Sequence, residues 1–275
     1  MARKAREVPG VESGTGVLTS LIAYVVQEMR DLGLTIKEIG ECFYRLVQPA
    51  NREELKAIVG LMAEPVLSLR ALQFRPFKDE EVPVRLADLL AKWRKMAEEL
   101  EYSGPVAWLV PKGFTIKKHA PKLGPCRKDF QYLQDWDFPD DPTERVLVFW
   151  IPRVIPESNA KTATKQLALL KGWRERFSLP EHHLAGFGKV GLLAGLILCH
   201  FKHSQEKVPL NGQWVRTDTL SVGGVRLGLG AFFGSLGCDY WGWNDESRHE
   251  SLWVFALGVE TLKPGELEDL EPLVA

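Results

Sequence analysis

Trp214-Val-Arg-Thr-Asp-Thr-Leu220, Val225-Arg-Leu-Gly-Leu-Gly230 and Leu252-Trp-Val-Phe-Ala-Leu-Gly-Val259 are three strand-like runs near the end of the chain, rich in the β-branched, aromatic and aliphatic residues that suit a pleated surface. Between the last two lies Gly237-Cys-Asp-Tyr-Trp-Gly-Trp-Asn-Asp-Glu-Ser-Arg-His-Glu-Ser251. This insert has neither the alternation of a half-buried strand nor the spacing of an amphipathic helix. It mixes Tyr240, Trp241 and Trp243 with Asp239, Asn244, Asp245, Ser247, Arg248, His249 and Ser251. Rigid aromatics supply contact area at low entropy cost, and short polar groups supply adaptable hydrogen bonds. The insert is therefore expected to be a ligand-binding loop, with those residues as its candidate contacts. The competing expectation is a sheet-edge cover, in which the aromatics pack inward and the charges are solvated. Trp214 and Trp253 are expected in the core.

Upstream, the strand run Arg145-Val-Leu-Val-Phe-Trp-Ile-Pro-Arg-Val-Ile155 precedes a helical pattern around Thr162 to Phe177. A second helix is expected over Val190-Gly-Leu-Leu-Ala-Gly-Leu-Ile-Leu-Cys199. That run is about half the roughly 20 residues a bilayer needs, and Lys189, His200, Lys202 and His203 bound it, so it reads as a core helix. Gly191 and Gly195 share one face and are expected to admit a close neighbour. A strand, two helices and then several strands is an α+β order. Residues 1–103 read as a helical N-terminal region, with helices over Val17–Arg30, Thr35–Val47, Glu53–Leu67 and Val84–Leu100. Residues 104–262 read as the α+β domain, and residues 263–275 as a loose acidic tail. Val106 to Val110 is a further expected strand, followed by a polar, proline-rich stretch over Pro111–Pro142.

The chain has 275 residues and a formal charge of -1. No global basic field points to nucleic acid and no acidic excess to a solvating tail. The charged N-terminus lacks a signal-peptide core, and Cys42, Cys126, Cys199 and Cys238 show no short paired spacing. Reduced thiols in a cytoplasm, or in a virion assembled there, are the expectation.

Order and spacing give the 147–260 region a family resemblance. Leu147-Val-Phe-Trp-Ile-Pro-Arg153, the run from Leu179 to Lys202, Glu206 to Leu220, Gly223 to Phe232 and Leu252 to Glu260 together resemble the variable proteins of diversity-generating retroelements. Those proteins have a C-type lectin fold related to that of formylglycine-generating enzymes. The resemblance implies a C-type lectin-like domain, preceded by a mainly helical adaptor whose partner it does not identify. It implies a non-enzymatic binder whose surface loop is rewritten by error-prone copying at adenines. Asp239, Tyr240, Asn244, Asp245, Ser247, Arg248, His249 and Ser251 are the positions compatible with adenine-altered codons. Trp241 and Trp243 are less easily reached that way. The implied partner is a protein held by the loop, with no cofactor.

Three other chemistries compete with this reading. His200 and His203, with His182, His183 or Cys199, invite a zinc site, but recurring short ligand pairs are missing and a helix C-terminus accounts for the cations. A formylglycine-generating oxidoreductase would need a cysteine pair, and none stands at a matching position. Leu34 to Phe43 resembles the first helix of a helix-turn-helix, yet the following helix is acidic at its start and poor in phosphate contacts. No metal, no catalytic residue and no nucleic-acid partner are therefore expected.

Overall fold

The computed structural model describes residues 34–46, 74–210, 212–232, 234–240, 244–263 and 266–267, with single positions between 23 and 30. The chain divides into two compact units, 1–68 with 269–275, and 69–268. In the first, helix α1 (Ile36–Leu46) starts at a capping box. Thr35 Oγ1 accepts from the Glu38 N–H at 3.3 Å, and Glu38 Oε2 accepts from the Thr35 N–H at 2.8 Å, so two otherwise orphaned donors are satisfied. The helix expected over 53–67 lies outside the described residues. Of that expected over 17–30, five positions are described and all are helical.

Among the described residues of the second unit, helices α2 (Ala87–Glu99), α3 (Ile116–Leu123), α4 (Ala163–Arg176) and α5 (Val190–Ser204) accompany eight strands. Strands β1 (Arg75–Pro76), β2 (Ala107–Val110), β3 (Val146–Val154) and β8 (Phe255–Thr261) form one antiparallel sheet in the order β1-β2-β3-β8. Strands β6 (Gly237–Asp239), β5 (Arg226–Gly230), β4 (Trp214–Leu220) and β7 (Leu252–Trp253) form the other in that order, with β7 parallel to β4. The α+β class follows.

The centre of β3 is apolar without alternation because both of its faces are covered. Phe149 stacks on Trp93 of α2, ring centres 5.7 Å apart, while Trp150 meets the ring of His200 of α5 at 5.9 Å. Successive strand side chains point to opposite faces, so α2 and α5 cover opposite faces of the sheet. Strands β3 and β8 pair with Phe149 opposite Gly258. A Cβ at Gly258 would run into the ring of His183. Helix α5 is buried along most of its length, and the Phe74 ring occupies the space a Cβ at Gly195 would need. Gly191 has only ordinary contact distances, 3.8 Å to Ile116 N and 3.9 Å to the Asp141 carbonyl oxygen. No helix among the described residues is long and apolar enough to cross a membrane.

Four expectations change. The strand body begins at Leu69, so the segment from 74 to 103 belongs to it and the division does not fall at 103. Trp93 is the cause: it is fully buried, stacked on Phe149, and donates its indole N–H to His183 Nδ1 at 3.0 Å. The run Leu252–Val259 is two strands in different sheets, with Val254 between them donating its N–H to Ser158 Oγ at 3.2 Å. The 111–142 stretch holds α3, whose first N–H groups, of Ile116 and Lys117, are capped by Asp140 at 2.9 and 3.2 Å. The tail is fastened at its start, since Arg85 Nε and Nη2 donate to the Glu266 carboxylate at 2.7 and 2.9 Å; residues 268–275 lie outside the described residues.

Trp93→Ala should cost about 3–5 kcal/mol, the range for removing a fully buried large aromatic. Chemical denaturation of the full chain checks this. A cost near zero would mean that α2 is not part of the core.

Candidate ligand-binding surface

Arg216 lies on β4 and is 1% exposed. A guanidinium taken out of water needs acceptors for its N–H groups. Its Nε donates to Gln166 Oε1 at 2.7 Å, Nη1 to the Asn244 carbonyl at 2.8 Å and Nη2 to the Ser247 carbonyl at 3.0 Å. Burial and the neighbouring Arg226 lower its pKa to about 10, with Asp245 acting the other way, so the charge persists at neutral pH. Gln166, buried on α4, donates in turn to the carbonyls of Ser158 and Leu252 at 2.8 and 3.0 Å. Thr162 sets the start of α4, its Oγ1 accepting from the Lys165 N–H at 3.3 Å.

More of the insert's carbonyls are used in the same way. The N–H groups of Ala163, Ala160 and Trp214 donate to the carbonyls of Asp245, His249 and Ser251 at 2.8, 3.0 and 2.7 Å. Asn159 Nδ2 reaches the Glu250 carbonyl at 3.0 Å. The loop is thus fastened to the body by main-chain atoms that every residue type possesses.

The side chains point outward to differing degrees. Asn244, Asp245, Arg248 and His249 are exposed, and Ser247 and Ser251 half-buried. Arg248 has no hydrogen-bonding or ionic partner among the described residues. Asn244 Oδ1 accepts from the Glu246 N–H at 3.0 Å and from Ser247 Oγ at 3.1 Å. His249 Nδ1 and Ser251 Oγ lie 2.6 Å apart in a hydrogen bond. The Asp245 carboxylate is paired with the Arg226 guanidinium, and that hydrogen bond holds it below the usual aspartate range. Asp239 closes β6 and its Oδ1 accepts from the Tyr240 N–H at 2.7 Å. Tyr240 meets the Trp136 ring edge to face at 4.4 Å, which gives the edge-cover expectation a share at this one residue. Trp241 and Trp243 lie outside the described residues.

The histidines separate into two groups. His200 bonds to Glu206 Oε2 at 3.1 Å, and burial lowers its pKa. His182 and His183 instead place Nε2 atoms 2.9 and 3.0 Å from Glu260 Oε1, the one trio among the described residues with metal-compatible spacing. Its hydrogen bonds argue against an ion. An indole N–H only donates, so His183 Nδ1, bonded to Trp93, must be an acceptor and the ring proton sits on Nε2, facing Glu260. Ligation through Nε2 would push that proton to Nδ1, against the indole N–H. Arg85 Nη1, 3.7 Å from Glu260 Oε2, already places a positive charge beside the carboxylate, shared with Glu266. Burial, reinforced by His182 and opposed by Glu260, lowers the His183 pKa to about 4.

Thiol chemistry has little support in the body. Cys126, Cys199 and Cys238 are buried free thiols. Burial pushes Cys126 and Cys199 up to about 12 and Cys238 higher still, so none supplies a thiolate near neutrality. The Cys42 side chain lies outside the described residues. A cleft of about 410 Å³ lies beside Leu257 and Val259, but two of its carboxylates are engaged, Asp141 with Lys189 at 2.7 Å and Asp218 with the N–H groups of Phe187 and Gly188.

Nothing in the sequence marks Arg216 and Gln166 as site residues: Arg216 sits mid-strand like any solvent-facing arginine, and Gln166 lies 50 residues earlier. Trp136, within a polar stretch, carries no such mark either.

Arg216→Ala would leave Gln166 and two carbonyls without their donor, and should cost roughly 2–5 kcal/mol, whereas Arg248→Ala should stay within about 0.5 kcal/mol. Thermal melts of the two variants compare them directly; equal effects would make the loop's side chains structural. His183, with its folded pKa below the unfolded value, binds fewer protons folded than unfolded between about pH 6.5 and 4. Its contribution is therefore complete above that window and lost as pH falls through it. Melting temperature should drop across this window, and His183→Gln should shrink the drop. The chain matches no protein-family model, no curated protein and no solved structure.

Proposed function

We propose that this chain is a non-enzymatic binding protein that displays a diversified loop on a C-type lectin-like fold, with a protein as its ligand. The observation that carries the reading is the division of labour in the 239–251 insert. Its described backbone is fastened through carbonyls to buried Arg216, α4 and the start of β4, while Arg248, His249 and Asn244 remain exposed. Identity can then change at the surface without changing what holds the loop.

Topology supports the reading as well. The domain's first long strand and its last, β3 and β8, pair antiparallel; two helices lie between them; a second sheet carries the loop. Arg248, Asn244 and Asp245 would set specificity by hydrogen bonding, and Tyr240, Trp241 and Trp243 would anchor the ligand, because binding energy concentrates in a few aromatic and arginine residues. A cytoplasmic or virion-associated location, with the N-terminal helical region as adaptor, belongs to the same reading. Its genetic counterpart is a near-copy of the codons for Gly224 to Glu260, differing at adenines, beside a reverse-transcriptase gene.

A library of the full chain randomised at Tyr240, Asn244, Asp245, Ser247, Arg248 and His249 tests it. Selection should return folded binders to unrelated targets, with Asp245 retained more often than Arg248 because of its pairing to Arg226. Recovering only aggregates, or binders whose contacts map to the N-terminal helices, would refute it.

A further inference from the structure

Beside Tyr240, and continuous with the insert, lies a groove of about 280 Å³, at the small end of the volumes that hold ligand groups. Its walls include Trp136, Phe138, Val222 and Tyr240, with Asp135 and Asp137 among its lining residues. Val222 is 75% exposed, and its N–H is fixed to the Asp137 carbonyl at 2.9 Å. Trp136 is half-buried and held between two tyrosines, Tyr132 at 5.2 Å and Tyr240 at 4.4 Å, both edge to face. The groove's aromatic wall is therefore built before any ligand arrives.

The groove carries an excess of negative charge. Asp135 and Asp137 are exposed, and neither carboxylate has an ionic or hydrogen-bonding partner among the described residues. The nearby cation Lys117 stands at the groove's own wall, its Nζ donating to the Trp136 carbonyl at 2.7 Å and lying 4.4 Å from the centre of the Phe138 ring, so it offsets one of the two carboxylates and leaves the other in excess. Aromatic faces carry negative potential and attract cations, most strongly where water is partly excluded. The excess negative charge beside such faces adds a Coulombic attraction of the same sign.

We propose that this groove seats a cationic side chain, arginine or lysine, of the protein that the loop binds. The flat guanidinium or the ammonium stacks on Trp136 and Tyr240, its methylenes cover Val222, and Asp135 and Asp137 accept its N–H groups. The proposal rests on the binding reading above for the identity of the occupant as part of a protein. The groove itself would bind a free cationic group whether or not the loop is diversified. A selectable loop thus sits next to a fixed pocket with a standing preference for basic partners.

The test uses the full chain labelled with nitrogen-15 at its tryptophan indoles, titrated with Nα-acetyl-arginine amide and, separately, with the neutral isostere Nα-acetyl-citrulline amide. The arginine probe should shift one indole resonance, identified as Trp136 by its loss in Trp136→Phe, with half-saturation at about millimolar concentration, as befits a single anchoring side chain. The citrulline probe should leave it unmoved. Asp135→Asn with Asp137→Asn, both at exposed positions, should weaken the response at least several-fold with the melting temperature unchanged. Equal responses to both probes, no response to arginine, or an arginine response indifferent to the two carboxylates would each overturn the proposal. Library binders without an arginine response would remove the groove and leave the binding function standing; an arginine response without library binders would do the reverse.

Discussion

A positive charge enclosed by neutral acceptors organises the end of this molecule that carries the 239–251 insert. Arg216 has to place its N–H groups somewhere, because a guanidinium stripped of water without acceptors costs several kcal/mol. The acceptors within reach are Gln166 and the carbonyls of Asn244 and Ser247. The loop backbone is therefore a required partner of the sheet beneath it. Gln166 extends the constraint to β7 and to the turn before α4 through the carbonyls of Leu252 and Ser158. One charge links two strands, a helix and the loop.

The other half of the body depends on β3. Because its side chains alternate between two covered faces, it needs both α2 and α5, and Trp93 and Trp150 are the contacts that bring them in. His183 joins this core to β8 through Trp93 on one ring nitrogen and Glu260 on the other. The arrangement works only with a neutral imidazole in one tautomer. The same hydrogen bonds that fix the tautomer leave Nε2 with a proton in place of a lone pair for a metal.

Strands and helices with strong local patterns were legible in the sequence: Trp214–Leu220 and Arg226–Gly230 as strands, and the apolar helix now seen at Val190–Ser204. What was hidden depends on distant partners. Helix α3 contains Pro121 and takes its cap from Asp140, more than twenty residues on. The break at Val254 shows no punctuation in an unbroken apolar run; it is made by Ser158. At the site, the outward character of the 244–249 side chains followed from their polarity, but the means of holding them did not. A buried arginine and a solvated one share a letter, and only the three-dimensional neighbourhood tells them apart.

The pairing of β3 with β8 joins Val146 to Thr261, residues more than a hundred positions apart. During synthesis β3 emerges long before the strand that completes its edge, and its run from Leu147 to Ile151 is wholly apolar. Until β8 arrives, that edge offers unpaired amides and carbonyls to any other extended chain. Loop closure over this distance must precede the contacts that reward it, so late and slow completion is built into the topology. The nascent chain is thus exposed to mispairing in the interval between making this apolar strand and making the partner that conceals it. The 239–251 insert is itself translated within that interval.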